Sequence, residues 1–183
     1  HDSTPMTAAD LLYAFGFAYR SHDRVTDAST ALLREWLAGM RVLQAEKEAS
    51  MPGKVLDSFA LIAFFRDETG AETVENLLVT AGKKDSPLHM TDVNYAEVKY
   101  SIVKKDGAEA WEKAAKILQG LPIDFHSTTR ALADLAADFK ARCKMSLADA
   151  FAAALAKEKN AELVTGDPEF KALEKEIKVT WLK

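Results

Sequence analysis

The chain has 183 residues, of which 48% are apolar and 28% charged, and this composition indicates a globular protein rather than a disordered or fibrous one. Its single cysteine, Cys143, excludes an internal disulfide framework and any metal site built from several cysteines. The 24 basic and 28 acidic side chains leave a net charge of −4, so overall charge alone would not recruit a nucleic acid. No apolar run approaches the roughly 20 residues of a membrane span. With no signal peptide expected either, the sequence predicts a cytoplasmic protein without a membrane partner.

The first fifty residues differ in pattern from the rest. Residues 1–5 are interpreted as a polar leader. Apolar side chains then recur at helical spacing over residues 11–19 and 32–43, which predicts a helical pair without a strand. The segment Met51–Pro52–Gly53–Lys54 interrupts this pattern, because proline and glycine end helices. We therefore predict a leader and helical extension at residues 1–50 and a second domain at residues 51–183.

From Lys54 onward, short apolar runs alternate with amphipathic stretches. The predicted strands, in chain order, are Lys54–Asp57, Leu88–Thr91, Leu121–Phe125, Glu162–Val164 and Ile177–Trp181. The predicted helices are Ser58–Phe65, Ala71–Ala81 with Gly82 as its stop, Asn94–Lys105, Ala108–Leu118, Ser127–Lys140 and Ser146–Lys157. Strands that alternate with helices in this way favour a parallel sheet covered on both faces. The predicted fold class is α/β, a three-layer α/β/α domain with a central parallel sheet, preceded by an N-terminal helical segment.

Four carboxylates fall near the predicted carboxyl edge of that sheet, where open parallel sheets bind their ligands. Asp57 ends the first strand, and Asp167 follows the fourth. Glu97 and Asp149 lie in helices whose starts should face the same edge. Whole strand–helix units separate these acids, so local chain geometry does not explain their grouping.

Each acid also has a purely structural interpretation. Asp57 could cap the helix that follows it, and Asp167, directly before a proline, could cap the last helical turn. Asp149 closes a Ser-x-x-Asp capping box. Glu97 could be a solvated helix carboxylate. Capping and catalysis are not exclusive, since both require a position at the exposed start of an element.

The segments around the acids carry a further signal. They are Lys54–Ser58, the helix that contains Glu97, Ser146–Ala150 and Val164–Phe170, of which the last is the most specific. Together they resemble the PIN-domain family, and in particular VapC-type toxins of toxin–antitoxin pairs, over about residues 54–182. The resemblance implies a parallel sheet with helices on both faces and Mg²⁺- or Mn²⁺-dependent cleavage of RNA. Carried over, the catalytic and metal-binding residues are Asp57, Glu97, Asp149 and Asp167, with Ser58 and Thr165 as supporting hydroxyls.

The implied chemistry is physically reasonable. Hard divalent cations prefer oxygen ligands, and carboxylates gathered in one cleft repel each other until a cation enters. We expect Asp57 and Asp149 to be direct ligands, Glu97 to position the attacking water or a second ion, and Asp167 to complete the cluster. The basic side chains best placed to contact RNA precede the Asp149 helix and are Arg142 and Lys144, although a solvated helix rim would also account for them.

The resemblance leaves residues 6–50 unmatched, because toxins of this family begin close to their first strand. An apolar stripe in this extension could pack on the domain or on a second subunit. Alternatively, the extension resembles an antitoxin segment joined in the same chain, which could set an arginine against the acids. Candidates for this contact are Arg20, Arg24, Arg34 and Arg41. The resemblance further implies a cognate antitoxin and a homodimer.

Other functions fit the sequence less well or remain open. A dehalogenase-type phosphatase would need a second aspartate where Phe59 stands, and no nucleotide-binding glycine loop is present. The four histidines show neither helical pairing nor an acid partner. A PIN-fold binding module with masked or lost activity, acting through partner recognition, remains the main alternative to the ribonuclease. DNA cleavage is a third interpretation that the acids alone do not separate from RNA cleavage.

Overall fold

The computed structural model describes residues 53–183, so the predicted leader, the helical extension and the boundary near residue 50 lie outside the described residues. Five strands form the sheet: β1 (Lys54–Leu56), β2 (Leu88–Thr91), β3 (Ile123–His126), β4 (Glu162–Thr165) and β5 (Val179–Trp181). The helices are α1 (Ser58–Arg66), α2 (Ala71–Lys84), α3 (Asp92–Asp106), α4 (Ala108–Leu118), α5 (Arg130–Arg142) and α6 (Leu147–Glu158). A 3₁₀ helix spans Pro168–Leu173.

The strands lie in the order β3-β2-β1-β4-β5, and every neighbouring pair is parallel. β1 and β4 are central neighbours, with Leu56 opposite Val164. Adjacent residues of a strand point to opposite faces: Val55 belongs to the apolar cluster formed with α5 and α6, and Leu56 to the cluster formed with the first four helices. A parallel sheet with an apolar core on each face confirms the predicted three-layer α/β/α fold.

Helix α6 packs closely against the sheet because its buried side chains are mostly alanines. From Ala148 to Ala156 every residue is buried, and the helix contacts β1, β2 and β4. Small side chains allow the helix backbone to approach the strands. This packing fixes the first turn of α6, which carries Asp149, beside the carboxyl ends of the central strands. Among residues 53–183, no helix is both long enough and apolar enough to cross a bilayer.

Several predicted boundaries were wrong by one to three residues: β3 begins at Ile123, α5 at Arg130 and β5 at Val179, and two further differences bear on the site or on the helix stops. β1 ends at Leu56, and Asp57 is the residue that caps α1. Helix α2 does not stop at Gly82 but continues to Lys84, and Asp85 ends it in the left-handed conformation at φ 50°. A glycine inside a helix costs only about 1 kcal/mol relative to alanine. Burial of the helix face formed by Ala71, Val74, Leu78 and Ala81 offsets this cost.

Gly166, between β4 and Asp167, allows a close approach of the chain to α1. A Cβ atom added at this position would lie 2.4 Å from the ring of Phe59, so we expect Gly166→Ala to lower the free energy of unfolding by about 1–3 kcal/mol. Gly120→Ala is the matched control, since its Cβ would lie 3.6 Å from the Ile117 carbonyl oxygen, an ordinary contact, and we expect a change within about 0.5 kcal/mol. Urea denaturation of both variants measures the difference, and equal stabilities would contradict the close approach.

Candidate active site

Asp57 lies at the centre of the site, directly after β1. Its backbone N–H donates to the carbonyl oxygen of Val164 at 3.1 Å, so the residue extends the pairing of β1 with β4. Its side chain caps α1 by accepting from the Ser58 backbone N–H, with 2.7 Å between that nitrogen and Oδ1. The residue is only 1% exposed. The capping interpretation is therefore correct, and it places the carboxylate at the carboxyl edge of the two central strands.

Two further side chains fix the orientation of the Asp57 carboxylate. The Thr165 hydroxyl, at the end of β4, donates to Oδ2 at 2.9 Å. The Asn94 side-chain amide, on α3, donates to Oδ1 at 3.3 Å. Donors from three elements therefore hold this carboxylate in place. Ser58 supports the same network, because its Oγ accepts from the Asn94 amide at 3.1 Å.

Asn94 is the functional candidate that the sequence analysis missed. It is completely buried, and its amide also donates to the Ala148 carbonyl oxygen, at 3.1 Å, which ties α3 to the start of α6. Its Oδ1 accepts from the Thr91 hydroxyl, 2.5 Å away. The signal was present in the sequence: Asn94 shares its helical face with Val98 and Ile102, and a polar residue in an otherwise apolar stripe requires partners.

Asp149 and Asp167 are each fixed by the start of their own helix. Asp149 completes the capping box of α6: its Oδ2 accepts from the Ser146 backbone N–H at 2.8 Å, and its own N–H donates to the Ser146 hydroxyl at 3.0 Å. Asp167 caps the 3₁₀ helix by accepting from the Glu169 N–H at 2.8 Å. Its backbone N–H donates to Thr165 Oγ1 at 3.0 Å, so one threonine hydroxyl connects Asp167 with Asp57.

Glu97 lies on α3 and is half-buried. Its Oε1 accepts a hydrogen bond from the Tyr100 hydroxyl at 2.9 Å. This contact joins two residues one helical turn apart. Tyr100 was not among the candidates from sequence, because an exposed tyrosine at helical spacing carries no signal of its own.

Electrostatics show that the four acids share one neighbourhood. Burial raises the pKa of Asp57 to about 7, and the charges of Asp149 and Glu97 add to this effect. Burial also raises the pKa of Asp149, and the charges of Asp167 and Glu97 contribute. The fold therefore brings Asp149 and Glu97 near enough to Asp57, and Asp167 and Glu97 near enough to Asp149, for their charges to interact.

This donor set fits a hard divalent cation by its chemistry. All of the acids present carboxylate oxygens, the ligands that Mg²⁺ and Mn²⁺ prefer, and an ion would offset both the burial and the neighbouring negative charges that raise the pKa of Asp57. Within residues 53–183, no three histidine, cysteine, aspartate or glutamate side chains form a ready-made ligand set. Instead, each of the four carboxylates accepts a hydrogen bond from a protein donor.

The structure also places the remaining candidates. Arg142, a predicted RNA contact, forms a two-point ion pair with Glu176, in which Nη2 lies 2.9 Å from Oε2. Lys144 is exposed. The expectation that no histidine has an acid partner was wrong, because His89 Nδ1 lies 3.9 Å from Asp124 Oδ2. The pairing of β2 with β3 also brings His126 Nε2 to 3.1 Å from His89 Nδ1, a contact between strands that the sequence analysis did not predict.

The sequence matches the PIN domain family over residues 54–176, and the chain belongs to this family. Solved structures of VapC-type toxins share its fold. VapBC2 from Rickettsia felis, bound to a DNA fragment from its promoter, has a TM-score of 0.57 at 16% identity over 71% of this chain and 98% of that chain. VapC20 from Mycobacterium tuberculosis, a toxin that cleaves the sarcin–ricin loop, has a TM-score of 0.55 at 18% identity over 66% of this chain and 94% of that chain.

DNA-bound VapBC from Salmonella typhimurium has a TM-score of 0.55 at 16% identity, over 71% of this chain and 98% of that chain. No curated protein matches the sequence. The predicted family and fold are thus confirmed, and identities this low extend the likeness to the fold alone.

Proposed function

We propose that the chain is a Mg²⁺- or Mn²⁺-dependent endoribonuclease and the toxin of a toxin–antitoxin pair. The observation that carries the proposal is the burial of Asp57 beside other acids, which raises its pKa to about 7. A buried carboxylate among like charges destabilises the fold unless a cation compensates it. Such an arrangement supports a site selected for ion binding rather than for stability.

The proposed ligands are Asp57, Glu97, Asp149 and Asp167, supported by the hydroxyls of Ser58 and Thr165. A divalent cation bound there would polarise a phosphate oxygen and lower the pKa of the attacking water. The protein contributes the orientation of its carboxylates: three donors hold Asp57, and Ser146 holds Asp149. Glu97, half-buried and bonded only through its Oε1 to Tyr100 among the described residues, has a second oxygen with which to orient the attacking water.

RNA as the substrate is supported by family membership and by VapC20, which is described as cleaving the sarcin–ricin loop. We propose Lys144, exposed before α6, as a phosphate contact. Arg142 would have to leave Glu176 to join it. In this proposal the Asp149 side of the site faces the RNA backbone, and the cation supplies positive charge that a chain of net charge −4 lacks.

The proposed partners are a cognate antitoxin and a second copy of this chain. Toxin–antitoxin complexes from Klebsiella pneumoniae and from Rickettsia felis are among the similar structures, which supports an antitoxin partner. The helical extension of residues 1–50, as an antitoxin-like segment of the same chain, stays a prediction. The alternative of a PIN-fold binding module differs from the nuclease in one respect: it requires no cation at the acids.

Calorimetric titration of the full chain with Mn²⁺ tests the proposal. The cation binds the ionised acids, and a pKa of about 7 keeps Asp57 mostly protonated at about pH 6. We therefore expect roughly tenfold tighter binding at about pH 8 than at about pH 6, with release of a proton. Single-stranded RNA should be cleaved with Mn²⁺ and left intact with EDTA. Asp134→Asn, on the exposed face of α5, serves as control and should match wild type. No Mn²⁺ binding at either pH would contradict the nuclease and favour the binding module.

A further inference from the structure

Tyr100 occupies an unusual position at the border of the acid cluster. It lies one helical turn after Glu97 and donates its hydroxyl to Glu97 Oε1 at 2.9 Å. The hydrogen bond to Glu97 is the main cause of a raised pKa of Tyr100, and the charge of Asp149 adds to it. The hydroxyl end of the side chain is thus anchored to Glu97, one of the proposed ligands.

The ring of Tyr100, in contrast, is left open. The residue is 57% exposed, whereas the buried face of α3 consists of Asn94, Val98 and Ile102. The other tyrosine of α3, Tyr95, packs edge-to-face against Trp111 and Phe125. Among residues 53–183, Tyr100 has no such aromatic partner. An anchored aromatic side chain with a free face is pre-organised for stacking, because little side-chain freedom remains to be lost on binding.

The charge of the site makes such a contact useful to an RNA substrate. One divalent cation would offset only part of the charge of the four acids, and the chain carries a net charge of −4, so a contact that does not depend on charge would add to the binding of RNA. Stacking of a base on an aromatic ring does not depend on net charge and accepts any base. Unpaired bases of single-stranded RNA are commonly recognised in this way, whereas the bases of a duplex are already stacked on each other.

We propose that Tyr100 is a substrate-binding residue whose ring stacks against an unpaired RNA base next to the acid cluster, while its hydroxyl, bonded to Glu97, fixes the orientation of the ring. The inference rests on the proposed function for the identity of the substrate and adds a preference for single-stranded RNA. It also assigns the ring of Tyr100 to base stacking and the hydroxyl to the positioning of that ring.

Binding of fluorescein-labelled 12-nucleotide RNAs to the full chain, with Ca²⁺ as an oxygen-seeking cation in place of Mn²⁺, tests the inference by fluorescence anisotropy. Tyr100→Leu removes the stacking face and is expected to weaken single-strand binding about fivefold or more. Tyr100→Phe keeps the ring but loses the hydrogen bond to Glu97 that positions it, so we expect a smaller loss than in Tyr100→Leu, of about two- to threefold. The loss in Tyr100→Leu should persist at high salt, because stacking is not screened, and binding of a 12-base-pair duplex should be unaffected.

The control is Ile117→Ala, which removes exposed apolar bulk on α4 and should bind single strands as wild type does. Equal binding by wild type and Tyr100→Leu would overturn the inference, and so would equal losses for single strands and duplex. A smaller sedimentation mass of Tyr100→Leu would also overturn it, since the ring would then belong to an interface between copies. If wild type binds RNA through Tyr100 but never cleaves it, the proposed function fails and the stacking residue stands. If wild type cleaves RNA and Tyr100→Leu binds it normally, the proposed function stands and the stacking inference fails.

Discussion

Asp57→Asn is expected to lower RNA cleavage by roughly 100-fold or more and, at the same time, to stabilise the metal-free protein at neutral and higher pH. The loss of activity follows from the removal of the central carboxylate of the proposed cation site. The gain in stability follows from its pKa, which burial raises from 3.8 to about 7 in the folded protein. The folded state thus holds this proton more tightly than the unfolded chain does.

The pH dependence has a definite sign. The stability that the protonated Asp57 contributes is fully present below about pH 4 and is lost as the pH rises through about 7. A difference of about three pKa units corresponds to an effect on the order of 4 kcal/mol. Asparagine keeps the shape without the charge, and its amide can donate to Thr165 Oγ1, which as a hydroxyl oxygen can also accept. Urea denaturation in EDTA at about pH 5 and about pH 8 should therefore show that the free energy of unfolding of Asp57→Asn rises relative to that of wild type as the pH increases.

Asp134→Asn, at an exposed position of α5, controls for the general effect of removing one negative charge. It should follow wild type in both stability and cleavage. The prediction about Asp57 would be contradicted if its asparagine variant were less stable than wild type at about pH 8, or if the stability difference did not change with pH. Saturating Mn²⁺ should reverse the order of stability, because a ligand stabilises only the protein that binds it.

Asn94→Ala is expected to lose both activity and stability, which distinguishes it from the Asp57 variant. The substitution removes the amide that connects Asp57, Ser58 and the Ala148 carbonyl oxygen. Buried acceptors left without a donor cost about 1–3 kcal/mol each, so we expect the free energy of unfolding to fall by about 2–4 kcal/mol. Cleavage should fall by roughly 10- to 100-fold, the usual effect of removing a partner that orients a metal ligand.

Asn94→Asp separates the two effects, because it keeps the shape of the side chain while replacing the amide donor by a carboxylate. It should place a further negative charge beside Asp57 and be more destabilising at about pH 8 than at about pH 5. Val103→Ala, at an exposed position of the same helix and outside this network, is the control for α3. Thermal unfolding and a cleavage assay measure all three variants. An Asn94→Ala protein with wild-type stability would show that the amide does not hold the site together.

The sequence was informative wherever one local pattern dominated. The alternation of apolar runs with helical stretches sufficed for the order of the strands and helices after residue 53, because burial on both faces of a parallel sheet leaves a strong pattern. The four acids could be placed at one edge because strand ends in such a sheet meet there. Asp149 and Asp167 were recognised both as caps and as candidates for the site, and the structure shows the capping bonds.

What the sequence did not reveal depends on pairs of residues far apart along the chain. Asn94 is a single polar residue in an apolar stripe, and only its long-range bonds to Asp57 and Ala148 show its purpose. The contact between His89 and His126 arises from the register of β2 with β3, which no local spacing encodes. Gly82 was taken as a helix stop, but the burial of the helix face decided the outcome instead.

The central position of β4 has a consequence for the order in which this protein becomes active during synthesis. Asp57 and Glu97 belong to the part of the chain that forms β1, β2 and β3, whereas Asp149 and Asp167 arrive with α6 and β4. β4 then joins the sheet beside β1, and only this insertion brings Thr165 to the Asp57 carboxylate. A ribosome-bound or prematurely terminated chain that ends before β4 therefore holds only some of the four acids, and it lacks the hydroxyl that orients Asp57. For the proposed toxin, cleavage would therefore begin only after β4 has been synthesised and has joined the sheet beside β1.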